Sequence, residues 1–238
     1  MDISTVMQLA PGDYFHDIVK KTQIYLHHTV GGSAKSTFDY WQAQANHVAT
    51  AFIVERDGTI FQVYDPHLWA WHLGLKLPSN TQANKQSIGI EMASEGALRS
   101  GKELNTMSGI TKFDEDWLYA FDVDVPPFAH AKKLYSFITL ADDDVTGNKY
   151  WDCGVNFRGY GFFDAYNEPQ VAAVIWLVNH LCEEFSIPKQ LILGEDKLRF
   201  DESMILGFTG VLTHCVVRAD KSDVHPGWDW DRLAKSFT

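Results

Sequence analysis

The order of patterned segments predicts an α/β fold: a mixed central β-sheet flanked by helices and interrupted by a large insertion. Three observations carry this expectation. Two apolar runs flank an Asp-Gly pair at 57–58, the pattern of a β-hairpin. Residues 171–185 repeat their apolar side chains at helical spacing. Short strand-like runs alternate with helical stretches along the chain, which favours helices packed on a sheet.

Taken in order, "TQIYLHH" is a short strand, and "KSTFDYWQAQANH" a helix whose Ser36 stands three residues before Asp39 in a capping-box-like start. "TAFIVE" and "TIFQVY" form the hairpin around Arg56-Asp57-Gly58, and "SIGIEMA" at 87–93 is a strand of the buried type. After the insertion, Asn167 is placed to cap a helix, with Gln170 at the reciprocal position and Val171, Val174, Ile175, Val178, Leu181, Cys182 and Phe185 on its core face. "GVLTHCVV" reads as a strand or strand-to-loop exit, and "WDWDRLAKSF" as a final amphipathic helix.

At 238 residues and 45% hydrophobic content, the chain can bury a substantial core. We read residues 1–238 as a single domain with an insertion at about 95–165, a turn-rich stretch unlike its flanks. The longest apolar runs, such as "VAAVIWLV", fall short of the roughly 20 residues that span a bilayer. A formal charge of -11 argues against nucleic acid or an anionic membrane as partner, since either requires clustered Lys and Arg. The N-terminus lacks the pattern of a secretory signal, so synthesis in the cytoplasm is expected. Cys153, Cys182 and Cys215 form no CxxC pair and read as free thiols.

The chemistry concentrates at strand ends. His27 and His28 close the first strand, and on an extended chain they face opposite sides; alternation alone does not settle which faces a site. His214 closes a second apolar run and is followed by Lys221, Asp223 and His225. Two strand-end histidines plus a carboxylate suit a catalytic zinc, which takes three protein ligands and leaves a fourth position for water. His27, His214 and Asp223 meet that requirement, although unlinked surface groups on loops fit the same residues because no compact HExxH spacing is present. Glu91 sits in an otherwise apolar strand, where a carboxylate is paired, protonated or functional. Beside a metal it becomes a general base.

"LHHT", "TAFIVERDGTIFQVYD", "AWHLG", "SIGIEMA" and a late His followed by Lys-Ser-Asp, in that order over 20–94 and 160–238, resemble the zinc-dependent N-acetylmuramoyl-L-alanine amidases, the family shared by phage endolysins, anhydro-muropeptide amidases and peptidoglycan recognition proteins. The resemblance implies cleavage of the amide between the lactyl group of N-acetylmuramic acid and L-alanine of the peptide stem. It implies Zn2+ held by His27, His214 and Asp223, with Glu91 as general base and Lys221 as the oxyanion-stabilising cation. His225 is an alternative third ligand, because Lys221 and Asp223 stand one residue nearer the histidine than in the family's pattern and Val224-His225 intervene before Pro226. The tyrosine that some members use is replaced by Thr50, which leaves the role to Glu91.

The same resemblance places Trp71, His72 and His28 along the substrate groove, where an aromatic face and imidazoles contact sugar or peptide. Cys215 points away from any site that His214 enters. "ADDDVTGN" lacks the glycine and glutamate spacing of a calcium loop. A monomeric peptidoglycan hydrolase of the phage endolysin type, acting on the cell wall, is the expected protein; a non-catalytic peptidoglycan-binding module and a cytoplasmic muropeptide-recycling amidase are the alternatives.

Overall fold

A computed structural model describes residues 1–44, 46–100, 117–119, 150–192 and 198–238. Six strands form the central sheet: β1 (Ile3–Ser4), β2 (Gln23–His28), β3 (Phe52–Val54), β4 (Ile60–Gln62), β5 (Ser87–Met92) and β10 (Gly210–Thr213), in the order β1-β4-β3-β5-β2-β10. The sheet is mixed: β3 and β4 pair antiparallel, whereas β3, β5, β2 and β10 run parallel to one another. The Asp-Gly hairpin joins β3 to β4, with Gly58 at φ +88, and a Cβ there would meet the Pro169 carbonyl oxygen at 2.7 Å.

Helices cover both faces. α1 (Ala34–Gln42) starts one turn earlier than its sequence pattern suggested: Ser33 is the N-cap and accepts the Ser36 amide, while Glu55 accepts that of Ala34. A short helix, α2 (Asn80–Lys85), leads into β5. α3 (Glu168–Glu184) buries the predicted apolar face, with Val171, Val174, Val178 and Leu181 in the main core beside Ile24, Leu26, Ile53 and Ile90. Asn167 holds its N-cap position without a side-chain cap bond; Gln170, expected to close that cap, instead donates to the carbonyls of Val54 and Ala93 and ties the helix to two strand ends. After α4 (Met204–Gly207) and β10, "HCVV" is not a continuing strand but one helical turn, α5 (His214–Val217). The chain ends in α6 (Trp230–Lys235), capped by Asp229.

A smaller antiparallel sheet, in the order β7-β6-β9-β8, is built from β6 (Ala97–Ser100), β7 (Trp117–Tyr119), β8 (Tyr150–Phe157) and β9 (Tyr160–Asp164). Asp164 joins it to the central sheet: its carboxylate pairs with Arg56 at 2.6 Å and accepts the Glu95 amide at 2.7 Å. The "ADDDVTGN" stretch and most of the rest of 101–149 lie outside the described residues. Among the described residues, no helix is long and apolar enough to cross a membrane, and the thiols of Cys182 and Cys215 are free and buried.

Candidate metal centre

The site lies where parallel strands end. Register places His27 of β2 beside Glu91 of β5, and Leu26 beside Thr213 of β10, so that His214 leaves its strand level with His27. Neighbouring residues of parallel strands share a face, and the carboxyl ends of such strands open toward ligand sites. Tyr25 packs with Leu73, Leu212 and Val216 on the face that His27 shares, while Ile24 and Leu26 belong to the main core on the other. The pleat therefore sends His27 and His28 to opposite sides.

Three side chains converge on the His27 side. Its Nδ1 is 3.1 Å from His214 Nδ1 and 3.1 Å from Asp223 Oδ2, and His214 Nδ1 is 3.0 Å from the same oxygen. All three residues are buried, at 1%, 5% and 7% exposure. His214 Nε2 donates to the Leu73 carbonyl at 2.8 Å, which leaves the Nδ1 lone pair of the neutral ring aimed at a carboxylate. Lone pairs and an anion at this spacing repel unless a cation or proton lies among them. Tetrahedral zinc, with bonds of about 2.0–2.1 Å, spaces its ligands by roughly 3.3 Å, close to the separations seen. The donor set fits the ion, and among the described residues no other group of three His, Cys, Asp or Glu side chains comes together in this way.

Electrostatics agree with the geometry. Burial acts to raise the Asp223 carboxyl, whereas positive charge at His214 and donors at both imidazole Nδ1 positions would hold it well below the usual carboxylate range, the part that a cation among the three groups takes when the rings are neutral. Burial pushes His27 down to about 4, so its ring is neutral and able to ligate near neutral pH. The Asp223 loop is pinned by its own carbonyl, which accepts the Cys215 amide at 2.8 Å.

Glu91 faces the same side, and its Oε2 is buried without a hydrogen-bond partner among the described residues. Burial, and then the Asp223 charge, raise its carboxyl well above the usual range, opposed by the positive charge of Lys221. Thr50 stands where a tyrosine was sought: it is buried, and its side chain lies against Gly89, where a Cβ would approach it to 2.6 Å. Cys215 is fully buried with its Sγ 3.0 Å from Thr213 Oγ1, and burial lifts its thiol to about 12.

Three expected contacts are placed differently. His225 is not at the centre: its ring is fully buried, stacked between Phe163 and Tyr166, with Nε2 donating to the Asp164 carbonyl and Nδ1 accepting the Gly227 amide. His28 is buried on the opposite face, bonded to Tyr166 Oη at 3.1 Å and closed over by Gly96, so it offers a groove little surface. His72 is partly exposed, but both ring nitrogens are engaged within the protein, by His27 and Ser87. Trp71 remains partly exposed, edge-on to Phe15 and Trp69. Ser87 was missed by the sequence reading; the alternation Ser87, Gly89, Glu91 along β5 was the available signal.

A mixed sheet carrying a buried His-His-Asp cluster at the ends of its parallel strands, with Glu91 beside it, presents a donor set that fits a divalent metal next to a buried carboxyl. Residues 19–120 match the family model Amidase_2, described as N-acetylmuramoyl-L-alanine amidase. Sequence comparison with curated proteins gave no match. Among solved structures, PlyL is similar with a TM-score of 0.52 at 14% identity, over 100% of this chain and 98% of PlyL. The catalytic domain of XlyA is similar with a TM-score of 0.51 at 14% identity, over 100% of both chains. AmiD from E. coli, in complex with anhydro-N-acetylmuramic acid-L-Ala-D-γ-Glu-L-Lys, is similar with a TM-score of 0.51 at 14% identity, over 92% of this chain and 58% of AmiD. At these identities the likeness is one of fold.

Proposed function

We propose that this chain is a zinc-dependent peptidoglycan amidase that cleaves between the lactyl group of N-acetylmuramic acid and L-alanine of the stem peptide. The observation that carries the reading is the convergence of His27, His214 and Asp223 in a chain whose residues 19–120 match the amidase family. Two imidazoles and a carboxylate are a zinc ligand set, and zinc bound there supplies a Lewis acid and lowers the pKa of a water to about 7.

The chain's own residues then divide the work. Glu91, whose anion is disfavoured by burial, takes the proton of the attacking water and returns it to the leaving amine nitrogen. Lys221, whose charge acts on both Glu91 and His27, stabilises the negative charge developing on the carbonyl oxygen. Trp71, partly exposed and next in sequence to His72, offers an aromatic face to sugar or stem peptide. The same reading treats residues 1–238 as one monomeric amidase domain, with an insertion at about 95–165.

Mass spectrometry of digested sacculi tests the proposal. The expected products are stem peptides with a free L-alanine amine and glycans with a free lactyl carboxylate, formed with zinc and not after chelation. Hydrolysis that survives removal of zinc sinks the metal mechanism, and tight binding of sacculi with no hydrolysis at saturating zinc makes the protein a binding module. Intact sacculi compared with soluble anhydro-muropeptides separates the endolysin setting that we assign from recycling: preference for the polymer supports the first.

A further inference from the structure

We infer that His72 and Leu73, held by Asn84, form a positioning element that fixes the tautomers of both histidine ligands. The inference rests on the reading of His27 and His214 as metal ligands and goes beyond it, because no direct contact of His72 with metal or substrate is invoked.

Proton accounting along one hydrogen-bonded chain gives the His27 tautomer. The Ser87 hydroxyl has a single hydrogen, which it donates to the Ala83 carbonyl at 2.7 Å, an acceptor in the last turn of α2. Ser87 Oγ, 2.8 Å from His72 Nε2, is therefore the acceptor of that bond, and His72 carries its proton on Nε2. In the neutral ring Nδ1 is then a lone pair. It lies 3.0 Å from His27 Nε2, so the proton between them belongs to His27. With Nε2 protonated, neutral His27 has only Nδ1 to offer, and Nδ1 is the atom that faces His214 and Asp223.

The residue next in sequence does the same for the second ligand. The Leu73 carbonyl can only accept, and it takes the Nε2 proton of His214, which leaves His214 Nδ1 free. The two positioning groups are adjacent because Asn84 fixes their backbone: its Oδ1 accepts the amides of His72 and Leu73 at 2.8 and 3.0 Å, and its Nδ2 donates to the Asn80 carbonyl at 2.7 Å. Asn84 is fully buried. Gly89 leaves room for the arrangement, since a Cβ there would stand 3.2 Å from His72 Nδ1. Partners of this kind, which orient a ligating histidine through its other nitrogen, typically change metal affinity by about 10- to 100-fold.

The test measures zinc affinity of the metal-free, full-length protein by competition with a chromophoric chelator, together with the tautomers of its histidines by long-range proton–nitrogen NMR. Wild type is expected to show His27 and His214 protonated at Nε2. His72→Phe keeps a ring but removes the acceptor, and weakens zinc about 10- to 100-fold. His72→Asn restores an acceptor near the Nδ1 position and recovers most of the loss, a rescue that mere packing does not give. Ser87→Ala frees His72 to adopt the other tautomer and weakens zinc by a smaller factor. If His72→Phe, folded by circular dichroism, binds zinc within twofold of wild type, the inference is overturned; if that variant does not fold, wild-type His27 protonated at Nδ1 overturns it equally. Failure of wild type to bind zinc at all instead defeats the underlying metal reading.

Discussion

His27 and His28 are neighbours on one strand, yet the two faces of β2 give them opposite surroundings. On the His27 face, imidazole lone pairs and a carboxylate meet at hydrogen-bond distance, and Glu91 Oε2 is buried without a partner among the described residues. On the His28 face the ionisable groups are paired: His28 bonds Tyr166, His225 bonds Asp164 and Gly227, and Asp164 pairs with Arg56, while the unpaired atom there among the described residues is the indole nitrogen of Trp228, edge-on to Tyr166. Buried ionisable groups are ordinarily paired, so the face where they are not is the one built for something from outside. The face whose ionisable groups are paired is built for stability.

That contrast is sharpened first by the third-ligand position. Asp223→Ala is expected to lose zinc and activity together, whereas His225→Ala keeps both in whatever fraction folds; metal analysis beside a sacculus digest reads the outcome, and the reverse pattern breaks the comparison. Glu91→Gln should keep its zinc but lose activity by about 10²- to 10⁴-fold, the range for removing a general base. Equal loss of metal would make Glu91 a ligand instead.

On the other face the effects should fall on stability alone. Arg56→Met leaves the Asp164 carboxylate buried and uncompensated and is expected to cost about 3–5 kcal/mol in a denaturant titration, with zinc affinity of the folded fraction unchanged. A more gradual effect comes from acid. Burial, and then the neighbouring His28, depress His225 to about 3, below the roughly 6.5 of an unfolded chain. The unfolded state therefore binds the proton first, and stability falls as pH drops from about 6.5 toward 3, by on the order of 1.4 kcal/mol per pH unit, with no contribution from this group above that window. His225→Gln should flatten this acid limb; an unchanged pH profile would remove His225 as its source.

Much of the fold was legible because local physics dictates it. The Asp-Gly turn, the apolar spacing of α3 and the strand ending in two histidines needed no partner to be recognised. Errors arose where a residue had two legitimate local uses. Gln170 fits a capping box, but the strand-end carbonyls of Val54 and Ala93 took its amide. "HCVV" has strand propensity, but the chain turns helical as soon as it leaves the sheet, which brings His214 back toward His27.

The site divides along the same line. By itself the sequence determined the inventory: two histidines closing one strand, a third closing another, a glutamate in an apolar strand, and lysine and aspartate close behind. Which histidine served which face was not written there, because every residue of β2 is buried and no polar-to-apolar contrast marks its two sides. Tertiary structure made that decision. The parallel order of β10, β2 and β5 set three strand ends level, and the packing of Phe163 and Tyr166 on His225 left Asp223 to complete the cluster. A ligand set is a relation among distant residues, and only the register of the sheet can state it.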